Sequence, residues 1–329
     1  MTGSSVLDDI TQSYSDHSDH SDTVDDGGGC PQAFVIPRGT RARFSDTEPV
    51  FIDEAFIDEV AAIIREVGTA EVVSRFRSLG KGDVVQKSPG DLVTVADREC
   101  ERVLSERLRS VHSIPTVGEE SVAADHALVD LVATAPAVWI IDPVDGTANF
   151  VAGNPNFVVM VALLEAGQPT AAWVWHPETD SMLTAQRGKG TFRDGIRLDR
   201  SNDQARSTSA RGILKRKYMS EPERSRLAEL PASVGTVVPA AGSAGIEYGA
   251  LADGTIDFLM YWRTLPWDHA PGSLIAEEAG LRVARIDGGA YVPGDGQPGL
   301  LAATRECWPI VAAEIQLARG PDPASGTDA

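Results

Sequence analysis

The sequence predicts an α/β fold with α+β layering, and two observations carry that expectation. Short apolar runs ending in glycine, proline or an acid alternate with stretches whose apolar residues recur at helical spacing. In the middle of the chain several strand-like runs follow one another with only turns between them, so part of the sheet must be antiparallel. The 329 residues, 42% apolar and 23% charged, suffice for one large domain or two subdomains sharing a core.

Residues 1–45 are expected to form a disordered acidic tail. Up to residue 37 there are seven Asp and no Lys or Arg, and Ser-Asp-His repeats at 15–22 offer little apolar surface to offset ordering entropy. The folded part is expected from Asp46, with Asp46 or Thr47 capping a helix and Pro49 in its first turn. Phe56, Val60, Ile63, Ile64 and Val67 give that helix a core-facing stripe, which Val72, Val73 and Phe76 extend. Residues 79–91, with Gly80, Gly82, Pro89 and Gly90, read as a mobile loop carrying Lys87. Thr94 is placed to cap a helix running to about His112, with Asp97 at its third position and the stripe Val95, Val103, Leu104, Leu108, Val111.

A short strand after Pro115 runs into Gly118-Glu119-Glu120-Ser121, and residues 122–134 read as short helix or loop. Residues 137–141 are a buried strand that Pro143 and Gly146 stop. Strands follow at 156–165 and 170–176, then a hairpin at 182–185 and 190–192. Residues 196–207 are polar and read as a connection. Beyond it the spacing predicts strands at 208–214, 235–240, 257–262 and 281–286. Helices are predicted at 222–230, 243–252, from the Pro266–Gly272 stretch through 279 with Asp268 at the N-terminal end, and at 307–317. The expected organisation is a tail (1–45), an N-terminal α+β subdomain (46–200), a C-terminal α/β subdomain (201–318) and a frayed end (319–329).

A net charge of -19 argues against nucleic acid or an anionic membrane as partner. Three scattered cysteines fit neither a disulfide framework nor a zinc site and suit a reduced cytoplasm. No apolar run reaches membrane-spanning length, and the N-terminus lacks the pattern of a secretory signal.

Five acids, Asp97, Glu119, Asp142, Asp145 and Asp268, sit where strands end or helices start. Singly, each reads as a cap or turn residue. Together they are hard oxygen donors with no Cys or His cluster among them, which favours Mg²⁺ or Mn²⁺ over zinc. Grouped carboxylates repel, and a pair of metals relieves this while suiting phosphoryl transfer to water.

Gly118-Glu119-Glu120-Ser121, Trp139-Ile140-Ile141-Asp142-Pro143-Val144-Asp145-Gly146-Thr147 and Trp267-Asp268-His269-Ala270-Pro271-Gly272 resemble the signatures of the inositol monophosphatase family. Asp91-Leu92-Val93-Thr94-Val95-Ala96-Asp97 matches as well, and the likeness spans about residues 50–318. The resemblance implies an α/β/α/β/α sandwich of the inositol monophosphatase and fructose-1,6-bisphosphatase type, with the site between its halves. It implies a lithium-sensitive, Mg²⁺-dependent phosphomonoesterase with two or three ions per site, acting on a small phosphorylated metabolite and commonly homodimeric. Glu119, Asp142 and the Val144 carbonyl would bind one ion. Asp142, Asp145 and Asp268 would bind the second. Asp97 would hydrogen-bond Thr147, and that pair with Glu119 would position the attacking water. Gly146 and Thr147 would offer backbone N–H groups to phosphate, Ser243 lies in the segment that resembles the one contacting the sugar or polyol, and Lys87 falls near the family's mobile-loop lysine, in a loop one residue shorter.

In one place the chain departs from the family pattern. Where true inositol monophosphatases carry a Glu that holds an inositol hydroxyl, about seven residues before the last metal Asp, this chain has Tyr261. Pro271 replaces a more usual Ala and is expected in the first helical turn. A small polyol or sugar phosphate is therefore the expected substrate, with histidinol phosphate, fructose 1,6-bisphosphate and adenosine bisphosphates as alternatives of the same chemistry. A non-catalytic relative would have lost a ligand or the Asp97–Thr147 pair, and neither is missing. An aspartyl-phosphate mechanism of the haloacid dehalogenase kind needs acids two apart, which Asp142 and Asp145 are not. His112, His176 and His269 are not needed as acid–base groups. His269 is expected to pack or cap its helix, and the tryptophans to fill core.

Overall fold

A computed structural model describes residues 50–88, 91–201, 210–227 and 234–319. The expected tail, the caps at Asp46 and Thr47, and the end beyond Arg319 lie outside the described residues, as do 202–207 of the expected connection and 208–209 of the strand expected after it. All described residues fall within one compact unit, Asp46–Ala329.

Fourteen strands are described. β1 (Val84–Ser88) and β2 (Asp91–Thr94) pair as an antiparallel ribbon of their own. β3 (Thr116–Gly118), β4 (Ala137–Asp145), β5 (Val158–Glu165), β6 (Gln168–His176), β7 (Ser181–Gln186), β8 (Gly190–Arg193) and β9 (Ile196–Leu198) form a seven-stranded sheet in chain order. Only the β3–β4 pair in it is parallel. β10 (Arg211–Lys215), β11 (Thr236–Val237), β12 (Phe258–Tyr261), β13 (Arg282–Arg285) and β14 (Leu300–Ala303) form a second sheet in the order β11-β10-β12-β14-β13. The helices are α1 (Glu54–Glu71), α2 (Val95–Val111), α3 (Glu119–Ala124), α4 (Leu131–Thr134), α5 (Thr147–Val151), α6 (Glu221–Arg226), α7 (Ala244–Ala252), α8 (Pro266–Glu278) and α9 (Cys307–Arg319). None is long and apolar enough to cross a membrane.

Strand parity generates the layers. Along β5, Val159, Val161 and Leu163 join a core with Ile64 and Val67 of α1 and Leu104 and Leu108 of α2. The alternate residues Val158 and Met160 join Tyr248 and Leu251 of α7 and Leu274 and Ile275 of α8. β12 repeats the device: Leu259 and Tyr261 face that same middle core, while Phe258 and Met260 pack with Trp308, Val311 and Ile315 of α9. The result is the five-layer α/β/α/β/α sandwich, with α7 and α8 shared between the two sheets. Close approach within the middle layer needs Gly272, where a Cβ would lie 2.0 Å from the Tyr248 ring.

Several elements differ from expectation. α1 begins at Glu54, later than predicted, because Asp53 Oδ1 accepts the Phe56 N–H at 2.8 Å. The preceding segment is held apart from the helix, the Val50 N–H donating to Glu165 Oε1. Residues 79–91 are not a plain loop: they contain β1 and the start of β2. Residues 196–198 extend the sheet as its edge strand. β14 was not expected, yet it sits between β12 and β13. Pro271 lies inside α8, not in its first turn. Its missing N–H leaves the Trp267 carbonyl without the usual helical donor.

Candidate active site

β4 brings the acids together through a register irregularity. Asp142 pairs with Met160 and Asp145 with Val158, so β4 carries one residue more than β5 over this interval. Residues three apart on a regular strand face opposite sides. The extra residue, at Pro143-Val144, acts as a bulge, and both carboxylates reach the same cavity. That cavity, of about 720 Å³, is also lined by Lys87, Glu119, Val144, Gly146, Thr147, Gly242, Arg263, Trp267 and Asp268. Gly146 caps α5 with φ 99°, a left-handed conformation, and a Cβ there would meet the Asn156 carbonyl at 2.9 Å.

Asp97 lies one step behind this lining. It is the third residue of α2 and completes a capping box with Thr94: its Oδ2 accepts from the Thr94 N–H at 2.9 Å and from the Thr94 hydroxyl. The other oxygen, Oδ1, is 3.1 Å from Thr147 Oγ1, which is equally 3.1 Å from the Val144 carbonyl. The cap and the expected functional contact therefore coexist on one carboxylate. Burial pushes the Asp97 pKa up to about 6, against the pull of the Thr94 hydrogen bonds.

Glu119 opens α3, whose first N–H groups are held from another helix. Glu101 of α2 is 5% exposed and accepts from the backbone N–H of Glu120 at 2.7 Å and of Ser121 at 2.8 Å. This approach requires Gly118, where a Cβ would sit 2.2 Å from the Glu101 carboxyl carbon. Lys87 Nζ lies 2.8 Å from both Glu119 and Glu120. Burial works against its charge, but the two glutamates outweigh burial and hold its pKa above the usual lysine value.

Burial, followed by the charges of Glu119, Asp145 and Asp268, pushes the Asp142 carboxyl well above the usual range. Asp268 is raised well above it too, by burial and then by Asp145 and Glu119, with Arg263 and a hydrogen bond to Asp142 pulling the other way. Asp145 is raised by burial despite three hydrogen bonds: from the Ser243 hydroxyl at 2.7 Å and from the N–H groups of Ala244 and Gly245 at 3.0 and 2.6 Å. Ser243 is thus occupied. It is 1% exposed, its hydroxyl serves Asp145 and caps α7, and Gly242 and Ala244 reach cavity surface in its stead.

Among the described residues, no group of three or more His, Cys, Asp or Glu side chains stands close enough to hold an ion as they lie. The donor chemistry nonetheless fits a hard divalent cation. Carboxylates from β4, α3 and α8 converge on one cavity, where burial and then their mutual charge raise the pKa values of Asp142 and Asp268, an arrangement that a cation would relieve.

The inositol monophosphatase family model matches residues 48–317. The chain belongs to this family. It is 30% identical over 240 residues to the fructose-1,6-bisphosphatase/inositol-1-monophosphatase of Thermotoga maritima, covering 70% of this chain and 85% of that one. It is 33% identical over 212 residues to the Nus factor SuhB of Vibrio cholerae, covering 64% and 77% respectively. The solved IMPase of Thermotoga maritima matches with a TM-score of 0.64 at 25% identity, over 80% of this chain and 96% of that one.

A wall of buried polar groups stands beside the acids. The Tyr261 hydroxyl donates to Glu247 Oε2 at 2.5 Å, and its ring stacks on Tyr248 with centroids 5.7 Å apart. Glu247 is fully buried in α7 and also accepts from Lys215 Nζ at 3.2 Å and the Gly242 N–H at 3.1 Å. Neither Glu247 nor Glu101 was singled out from sequence. The signal for Glu247 was a lone charge within an otherwise apolar helix. His269 packs as expected, its ring between the Arg263 carbonyl and the Tyr248 hydroxyl, and burial holds its pKa down to about 3. It is a neutral structural group. His176 lies apart, against Thr179 and the Pro155 carbonyl.

Proposed function

We propose that this chain is a Mg²⁺-dependent phosphomonoesterase acting on a small polyol or sugar phosphate. The observation that carries this reading is the convergence of Glu119, Asp142, Asp145 and Asp268 on one cavity, with the Thr147–Asp97 pair immediately behind. Glu119, Asp142 and the Val144 carbonyl would hold one ion, and Asp142, Asp145 and Asp268 a second. Bound there, Mg²⁺ supplies charge neutralisation for the phosphoryl group and acidifies coordinated water. The residues supply the rest. Thr147 Oγ1 orients the attacking water, and Asp97 Oδ1, 3.1 Å from that hydroxyl, receives its proton through it. The backbone N–H groups of Gly146 and Thr147 face the phosphate oxygens at the start of α5. Buried, unpaired Cys100 and Cys307 suit a reducing cytoplasm.

The test is phosphate release from a panel of small phosphomonoesters with Mg²⁺, with EDTA and with Li⁺, using the native chain beside Asp142→Asn and Asp268→Asn. Both substitutions are expected to lower turnover about 10²- to 10³-fold, the scale of removing one electrostatic catalytic group, while circular dichroism stays native. Retained metal-dependent turnover in either variant refutes the ligand assignment. The relative named as a Nus factor prompts a control: no release from any substrate, with fold and Mg²⁺ binding intact, would favour a non-catalytic role.

A further inference from the structure

The phosphate-facing turn is not held by its own helix. α5 has five residues, too few for a helix to stand on its backbone bonds alone. It starts at Gly146, whose φ of 99° brings the backbone against three neighbours. A Cβ there would lie 2.9 Å from the Asn156 carbonyl, 3.2 Å from Ser243 Cβ and 3.4 Å from the Gly242 carbonyl. The place of the Gly146 and Thr147 N–H groups is therefore set by two outside segments, 154–156 and 241–243.

One side chain reaches both segments. Asn149, the third residue of α5, donates through Nδ2 to the Asn156 carbonyl at 2.7 Å and to the Ala241 carbonyl at 2.9 Å, the second across 92 residues of chain. Its Oδ1 accepts from Asn154 Nδ2 at 3.2 Å, and its backbone carbonyl from the Asn154 N–H at 2.9 Å. Asn154 Oδ1 in turn accepts the Asn156 N–H at 3.1 Å. A side-chain amide has two N–H donors, and both are committed here. The orientation is thereby fixed: turned over, Oδ1 would face two carbonyl oxygens. Gly242 is kept bare by the same contact, for its φ is 82° and a Cβ would lie 3.1 Å from Asn149 Nδ2. The next residue, Ser243, donates its hydroxyl to Asp145. The Asn149 amide thus governs both surroundings of Asp145, since Gly146 follows that acid in the chain and Ser243 bonds to it. Asn149 does not itself line the cavity, although Ala148 does.

We propose that Asn149 is a positioning residue for phosphoryl transfer, its amide keeping the phosphate-facing turn at Gly146-Thr147 in register with the Gly242-Ser243 segment that holds Asp145. It acts through the backbone and touches no reacting atom. One side-chain head then sets two distances at once: from the N–H groups to the phosphate oxygens, and from Asp145 to its partners at the start of α7. Displacement by about 1 Å costs on the order of 10²-fold in rate at such a site. Residues of similar size cannot take its place, because a carboxylate offers no donor and a serine hydroxyl only one.

The inference rests on the phosphatase reading, and the experiment separates the two. Asn149→Asp keeps the size and removes both donors. Asn149→Ala removes the head without adding a charge, and serves alone if the first variant fails to fold. Three quantities are compared with the native full chain in Mg²⁺: kcat per folded chain on the ester it hydrolyses fastest, calorimetric binding of inorganic phosphate, and amide hydrogen exchange. We expect kcat to fall at least about tenfold and phosphate affinity at least about fivefold. The Ala244 and Gly245 amides should exchange at least about tenfold faster, while α1 and α9 exchange as in the native chain. Native kcat and native phosphate affinity in either folded variant overturn the proposal. Faster exchange throughout the chain with kcat per folded chain unchanged also overturns it, as the mark of a merely structural amide. Failure of the native chain to release phosphate from any ester refutes the phosphatase reading. Weakened phosphate binding, with exchange loosened only at the start of α7, would then leave the Asn149 tie standing.

Discussion

Gly118→Ala tests whether the glutamate at the head of α3 is aimed from outside its own helix. The backbone of Gly118 is extended, with φ -119° and ψ 165°, which any residue adopts, so conformational strain contributes nothing. The whole effect must come from the added methyl group, placed 2.2 to 2.5 Å from the carboxyl atoms of Glu101. Those atoms cannot stay, and two charge-assisted hydrogen bonds to the Glu120 and Ser121 N–H groups go with them. Such bonds contribute about 1.5–3 kcal/mol each. Burial of Glu101 offsets part of that, since burial is the leading cause that raises its pKa. The expected net loss is about 2–4 kcal/mol in urea unfolding. Glu119 neighbours the released N–H groups, so displacement by about 1 Å is expected to lower turnover about 10²-fold. A double-mutant cycle isolates the mechanism. With Glu101→Ala the obstacle is gone, and Gly118→Ala should then cost less than about 0.5 kcal/mol, a strongly non-additive pair. Additive costs, or a Gly118→Ala variant of native stability and turnover, would refute the reasoning.

Three further outcomes are expected. Asp142 and Asp268 have folded-state pKa values above their unfolded ones, so their protons stabilise the ion-free chain. That contribution is full below about pH 4 and is lost as pH rises through the raised values. Mg²⁺ takes over the protons' role, so its stabilising effect should grow from acid to alkaline pH, reaching about 2.7 kcal/mol at one hundred times Kd. Thermal melts with and without the ion across that range check it, and a shift independent of pH contradicts it. His269 has a folded pKa depressed to about 3, so its neutral form contributes stability that is full above about pH 6.5 and is lost as pH falls from there toward about 3. His269→Asn should flatten this acid limb in urea titrations, by up to about 1.4 kcal/mol per pH unit, and an unchanged slope would discount the buried neutral ring. Gly146→Ala places a Cβ against the Asn156 carbonyl at a positive φ, costing about 1–2 kcal/mol for the conformation alone. Its turnover should fall at least tenfold, and native kinetics would mean that the turn at Asp145 tolerates displacement.

The helices with strong local signals were legible. Thr94 and Asp97 three residues apart announced both ends of a capping box, and Gly242-Ser243 announced the start of α7. The acids of the site could be gathered because the sequence put each beside a turn or a helix start, although Asp142 lies inside β4, which continues through Pro143 to Asp145 instead of stopping there. What escaped was decided by tertiary pairing. β1 and β2 are strands because they pair with each other, although Gly80, Gly82, Pro89 and Gly90 punctuate them as a loop. β14 ends in Ala302-Ala303, which carry little strand preference, and it exists because β12 and β13 flank it. The bulge in β4 has no signature beyond Pro143, yet without it Asp142 and Asp145 would face apart. Glu101 and Glu247 escaped for a similar reason: a charged residue on a helix normally reads as solvent-facing, and only packing shows that these two serve backbone donors and side chains of other elements.

The shared middle layer also has an electrical consequence. Both of its helices begin at the cavity, α7 with the N–H groups of Ala244 and Gly245 on Asp145, and α8 with Asp268 in its first turn. Each helix start carries roughly half a positive elementary charge from its aligned peptide dipoles. Two such ends aimed at one group of carboxylates give the sandwich a standing positive field where its side chains are most negative. The fold itself therefore holds these acids together before any ion arrives, and a substitution that unwinds the first turn of either helix would weaken that field without touching a single carboxylate.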